Sequence, residues 1–203
     1  MIKAILFDAD GVLITGDKFI NHAQRELNIS PEMTAAFFKG KFKECLVGKA
    51  DLKVEIAPYL QKWGWTKSPD EFLTLWFDVE HHTNKPLLRA IENLRKTKIL
   101  CYVATNQEKY RSVYIKDYMK IQPLFDGFFA SNEIGFCKPD KDFFTFIIDR
   151  INIKPEEILF WDDTPAHVEG AKEIGINAEL YSDFENFKMK LKDYKLETSD
   201  KLS

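Results

Sequence analysis

The chain has 203 residues, 45% of them hydrophobic and 30% charged, values that exclude a disordered or collagen-like polymer. It exceeds a typical domain of about 100–150 residues without reaching two, so a core carrying an insertion is the expected organisation. A net charge of -3, with no Lys/Arg run, excludes the clustered cationic surface that nucleic-acid binding needs.

No basic N-terminal segment precedes an apolar one, and no apolar run approaches ~18 residues, so a soluble, cytoplasmic protein without membrane contact is expected. Cys45, Cys101 and Cys137 are odd in number and far apart, which suits neither a disulfide framework nor a zinc knuckle. Cys101 reads as a core residue, and Cys137 as a passive neighbour of a polar loop. Nothing in the sequence sets an oligomeric state.

The first predicted element runs from Lys3 to Asp8, where Ala4, Ile5, Leu6 and Phe7 follow one another without polar alternation, as in a central strand covered on both faces. It ends in Asp8-Ala9-Asp10-Gly11. Two carboxylates spaced i, i+2 at a strand end repel and resist desolvation, so they call for a divalent cation or a shared proton, unless the turn is simply exposed.

About ninety residues then separate Asp8 from the next strand near Ile99, whereas a strand-helix-strand crossover needs only about 30. The segment 15–84 reads as an inserted domain of roughly four helices, flanked by core segments 1–14 and 85–203. Ser30-Pro31 places a cap residue before a proline, and Ser68-Pro69-Asp70-Glu71 is a capping box. Phe72, Leu73, Leu75, Trp76 and Val79 follow as a broad apolar face, and Phe37, Phe38, Phe42, Leu60 and Trp63 are the expected core of the insert. Trp63, Trp65 and Trp76 read as packing rather than as a ligand pocket, and His81-His82 as exposed hinge residues.

Beyond the insert, apolar spacing predicts helices over Pro86–Thr97, Tyr110–Met119, Asp142–Arg150 and Ala166–Ile174. Strands are predicted over Lys98–Ala104, Gly127–Ala130, Glu157–Trp161 and Asn177–Leu180, with a loop at Ser131–Phe136. The alternation implies a parallel α/β sheet. A polar tail from Tyr194 to Ser203 is expected to fray.

Open α/β sheets collect their sites beyond the carboxyl ends of the strands. Those ends carry Asp8 and Asp10, then Thr105-Asn106, then Lys138-Pro139, and lastly Asp162-Asp163-Thr164-Pro165, where Thr164 reads as an N-cap. Each alone is ordinary: a polar turn, a surface lysine, a solvated helix cap. Together they supply oxygen ligands for Mg²⁺ and a hydroxyl and ammonium for the charge of a phosphate.

This set, in order and rough spacing, resembles the haloacid dehalogenase-like hydrolases along the whole chain. Asp8-Ala9-Asp10-Gly11 is similar to the first motif of that family, Thr105-Asn106 to the second, Lys138-Pro139 to the third and Asp162-Asp163 to the fourth. The resemblance implies a Rossmann-like parallel sheet flanked by helices, with an inserted helical C1 cap. It implies a Mg²⁺-dependent phosphatase that hydrolyses a small phosphorylated metabolite through an aspartyl-phosphate. Asp8 would be the nucleophile and Asp10 the general acid and then base. Asp8, the backbone carbonyl of Asp10 and Asp163 would ligate Mg²⁺, with Asp162 a second or outer ligand. Thr105, Asn106 and Lys138 would hold the phosphate.

Dehalogenating members lack the second aspartate of the first motif, so Asp10 favours phosphoryl transfer. Sugar phosphomutases of the family carry a histidine about ten residues beyond it; Ile20 stands there, with His22 two places later, which argues against a mutase. Many members have an acid or asparagine where this chain has His167, so altered support for Mg²⁺ is expected. The alternative is a non-catalytic or regulatory phosphate-binding protein on the same fold. A receiver-like signalling domain ranks lower, because its acids and phosphoacceptor leave different strand ends and it has no such insertion.

Overall fold

The computed structural model describes residues 1–197. Ala4–Phe7 forms β1, whose four side chains are all fully buried. A strand with no solvent face belongs in the middle of a sheet, and β1 lies there, pairing in parallel with β2 (Leu100–Thr105) and β4 (Ile158–Asp162). With β3 (Gly127–Ala130) and β5 (Asn177–Leu180) the sheet order is β3-β2-β1-β4-β5, parallel throughout. The register sets Phe7 against Val103 on one side and Trp161 on the other, so Asp8, Thr105 and Asp162 leave the sheet at the same edge.

Alternate residues of β1 serve two cores, as the strand period of two requires. Ile5 and Phe7 pack with Cys101, Val103, Leu159 and Trp161 under α6 (Lys85–Lys96), while Ala4 and Leu6 join Phe143, Phe144 and Ile147 on the other face. The latter three come from α9 (Lys141–Ile151). Each fully buried large side chain contributes roughly 1.5–3 kcal/mol.

Between β1 and α6 the chain forms five helices rather than four: α1 (Phe19–Glu26), α2 (Pro31–Phe38), α3 (Phe42–Leu46), α4 (Leu52–Lys62) and α5 (Pro69–Val79). The extra one, α3, is five residues long, too short for an apolar period to mark it in the sequence. Ser68 and Glu71 close the reciprocal capping box on α5. These helices share a core of their own, in which Phe37 touches the rings of Phe38, Phe42, Tyr59 and Trp63. Trp63 and Trp76 are buried in it and Trp65 is half-buried against it.

The two connections to this helical lobe run side by side. Ile14 pairs with Thr83 as an antiparallel bridge, Thr15 N–H donates to His82 O, and Asn84 N–H donates to Leu13 O. His81 and His82 are exposed there, and the His81 ring lies 2.7 Å from the Tyr114 hydroxyl.

Elsewhere three expectations change. The helix expected over Tyr110–Met119 divides into α7 (Lys109–Val113) and a wider five-residue turn, Tyr114–Tyr118, in which Met119 N–H reaches Tyr114 O. The expected loop after β3 begins with a four-residue helix, α8 (Ser131–Ile134), ended by Gly135 at φ +89°. At the C-terminus, Tyr194 and Leu196 pack against the core and the Tyr194 hydroxyl donates to Glu179, so the fraying expected from Tyr194 onward does not hold for these residues. The remainder of that expectation, 198–203, lies outside the described residues. No described helix is long and apolar enough to cross a membrane.

Candidate active site

The site gathers where the sheet register delivers its side chains. Lys138 arrives from the loop after α8, and its Nζ stands 2.8 Å from Asp8 Oδ1 and 2.5 Å from Asp162 Oδ2 with no exposure of its side chain. Asn106 holds that loop: its Nδ2 donates to Lys138 O at 2.9 Å, and Lys138 N–H donates to Asn106 Oδ1 at 2.8 Å. The Asn106 side chain is thus engaged with the lysine backbone. The helix α10 (Pro165–Glu173) presses on the same loop through Gly170, where a Cβ would come within 2.6 Å of Pro139 O.

One ammonium shared by two buried carboxylates gives them unequal characters. Burial would raise Asp162, but Lys138 and the His167 ring outweigh it and hold this carboxyl below its ordinary value. Asp8 is pushed up to about 8, by burial first, with Lys138 opposing and Asp162 and Asp10 adding repulsion. Burial works against the Lys138 ammonium, yet its two acids hold its pKa above the ordinary value.

His167 Nδ1 lies 3.0 and 3.1 Å from the two Asp162 oxygens. An ionised carboxylate only accepts, so Nδ1 carries the proton in this contact. Asp162 Oδ1 also accepts from Thr164 N–H at 2.8 Å. Thr164 occupies the N-cap position of α10 without a side-chain cap bond, and its hydroxyl donates to Asp163 Oδ1 instead.

Asp10 leaves the turn half-exposed. Its Oδ2 accepts from Gln107 Nε2 at 2.5 Å, and its Oδ1 lies 3.5 Å from Arg111 Nη2. Gln107 Nε2 is also 3.5 Å from the buried Thr105 hydroxyl. Arg111 is only 3% exposed and spans both lobes, with Nη1 3.2 Å from Phe77 O and Nη2 3.4 Å from Glu80 Oε2. Its N–H and that of Tyr110 donate to Glu108, the N-cap of α7. Burial pushes both Glu108 and Glu80 up to about 7. Gln107, Glu108 and Arg111 were not among the residues singled out from the sequence. The signal available was their position just past the Thr105-Asn106 turn.

A cleft of about 430 Å³ opens above Asp10 and Gly11 between the lobes, bounded by Ile14, Phe19, Ile20, Phe38 and Trp76 together with Thr15, Lys18 and Glu80.

The oxygen donors fit a small divalent cation such as Mg²⁺. Gly11, at φ +84°, has no Cβ, and one placed there would overlap the Asp163 carboxylate, which therefore lies directly over the turn that carries Asp8 and Asp10. Asp8, Asp162 and His167 also converge, with ligand atoms within 4.8 Å of one another. The Lys138 ammonium already neutralises that pocket, so a cation is better served by Asp8, Asp163 and the carbonyl of Asp10.

The protein-family model for haloacid dehalogenase-like hydrolases matches residues 2–175. The chain belongs to that family. Among curated relatives, the rat bifunctional epoxide hydrolase 2 is 26% identical over 205 residues, covering 90% of this chain and 37% of its own length. The chain thus spans little more than a third of that relative. Glyceraldehyde 3-phosphate phosphatase of Methanocaldococcus jannaschii is 29% identical over 196 residues, covering 87% of this chain and 83% of its own. A family enzyme of Bacteroides thetaiotaomicron solved with magnesium and inorganic phosphate superposes with a TM-score of 0.73 at 21% identity, covering 92% of this chain and 99% of that one. This last likeness speaks to the fold.

Proposed function

We propose that the protein is a Mg²⁺-dependent phosphatase acting on a small phosphate monoester. The observation that carries this is Asp8 at the end of β1, buried and paired with Lys138, with Asp10 held beside the open cleft. The phosphatase name and the magnesium and phosphate reported for relatives support the same reading.

Bound Mg²⁺ would supply the positive charge that lets Asp8 ionise and meet an anionic phosphate. Asp8 Oδ attacks phosphorus as the bond to the alcohol oxygen breaks, and Asp10 gives that oxygen its proton. An aspartyl-phosphate then stands on Asp8. Asp10, now ionised, takes a proton from water, whose oxygen bonds to phosphorus as the acyl-phosphate bond breaks, releasing inorganic phosphate and restoring Asp8. Lys138 and Thr105 stabilise the equatorial oxygens, with the backbone around Asn106 completing that cradle. Gln107 and Arg111 orient Asp10, and Asp162 keeps Lys138 charged.

Phosphate release from a generic aryl phosphate tests this directly. Mg²⁺-dependent turnover that stops with chelator and returns with added metal is expected, and Asp8→Asn should lower it roughly 10⁴-fold or more at unchanged folding. Full activity in excess chelator, or wild-type-like hydrolysis by Asp8→Asn, would overturn the mechanism.

A further inference from the structure

The walls of the interlobe cleft are unevenly equipped for recognition. Its volume of about 430 Å³ suits a small organic group. Of its polar side chains, Asp10 is held by Gln107 and Arg111, while Glu80 accepts from Phe19 N–H at 2.8 Å and pairs with Arg111. The Trp76 indole N–H is buried, which leaves the Thr15 hydroxyl and the Lys18 ammonium, on two exposed residues, for a ligand. The apolar side is fuller: Ile20 is 41% exposed and Phe38 half-buried, apolar surface that faces water when nothing covers it.

Resting on the phosphatase reading above, we propose that this cleft selects phosphate monoesters whose alcohol portion is an apolar chain or ring rather than a polyhydroxylated sugar. A sugar entering the cleft gives up water from several hydroxyl groups, and the walls return few hydrogen bonds for them. An alkyl or aryl group loses nothing of that kind and covers Phe38, Trp76 and Ile20. Phosphate at Asp8 and Lys138 fixes one end of the ester, so the alcohol portion must lie along this wall.

Hexyl phosphate and glucose 6-phosphate make the decisive pair, because both are primary alkyl esters and break the same bond. With Mg²⁺, kcat/KM for hexyl phosphate should exceed that for glucose 6-phosphate at least tenfold, chiefly through KM, and should rise along methyl, butyl and hexyl phosphate. Ile20→Asn should shrink the hexyl preference severalfold. A flat alkyl series, or glucose 6-phosphate equal to or better than hexyl phosphate, overturns the assignment. If no ester is hydrolysed, the phosphatase reading fails by itself, and titration calorimetry with hexylphosphonate against methylphosphonate decides the cleft: tighter binding of the hexyl compound supports it and equal binding rejects it.

Discussion

On the core side of the cleft, Asp8, Lys138 and Asp162 are each less than a tenth exposed, and each meets at least two polar partners. On the side of the helical lobe, Ile20 and Phe38 stand partly in solvent, and Lys18 pairs with no carboxylate among the described residues. The difference follows from what charge and apolar surface cost. Buried ions hold their geometry only if every one is compensated, so the floor admits little variation. An apolar wall is non-directional and tolerates exchange of one side chain for another of similar size. On the proposed phosphatase reading, chemistry would sit on the rigid side and selection on the adaptable one.

Four changes break or sharpen that contrast. The largest effect is expected from Lys138→Met, which leaves Asp8 and Asp162 facing each other without the ammonium they share. Activity should vanish, and stability at pH 8 should fall by about 3–5 kcal/mol. The loss should be smaller near pH 5, because Asp8, which burial already raises and Lys138 no longer opposes, is protonated there and its repulsion with Asp162 is relieved. Urea denaturation at both pH values measures this, and an equal loss at each would contradict the floor as described.

Phe37→Ala removes the ring around which the helical lobe packs, at a cost of about 3–5 kcal/mol. Hydrogen exchange should show protection lost in α2, α4 and α5 while β1 and β4 keep theirs. Uniform loss through the sheet would mean that the two sides share one cooperative unit.

Glu108 and Glu80 test the seam between the sides. Both are raised from 4.5 to about 7 by burial, so the stability they contribute is complete below about 4.5 and is lost as the pH rises through 7. Asp162 acts in a separate acidic window, where stability falls as the pH drops below its ordinary value. The rise to about 7 corresponds to roughly 3 kcal/mol at most for each glutamate. Asp8, raised to about 8, loses stability over the same range, so Glu108→Gln should remove only part, less than half, of the decline between pH 5 and 8 seen in thermal melts. An unchanged slope would mean that Glu108 ionises freely.

The smallest effect is expected from Arg111→Lys. Lysine keeps the charge but cannot reach Phe77 O, Glu80 and Asp10 together, so kcat should fall about tenfold, or ~1.4 kcal/mol, with KM little changed. A change confined to KM would assign Arg111 to substrate binding instead of to Asp10.

Much of the floor was legible in the sequence because strand ends announce themselves. Uninterrupted apolar runs marked β1, β2 and β4, and the residues just past them were Asp8, Thr105 and Asp162. The neighbours of Asp10 were hidden by distance along the chain: Gln107 and Arg111 lie 97 and 101 residues away and meet it only after the sheet has formed. Asn106 was visible as a polar turn residue, yet its engagement with both backbone groups of Lys138 depends on a contact 32 residues on. The wide turn at Tyr114–Tyr118 left no mark either, since its apolar spacing matches an ordinary helix.

The paired connections at Ile14 and Thr83 make the helical lobe a cassette. Its two ends already lie at strand spacing, joined by hydrogen bonds on both sides of the bridge. Excising the intervening chain and closing Ile14 to Thr83 through a tight turn would leave the β1 turn, the Lys138 loop and the α10 cap in place. Arg111 would then lose Phe77 and Glu80, and Tyr110 and Tyr114 would lose their partners Asp51 and Asp78. Together with Ser131, whose hydroxyl donates to Leu46 O, those positions form the socket, and a graft of any other helical lobe onto this sheet has to match them first.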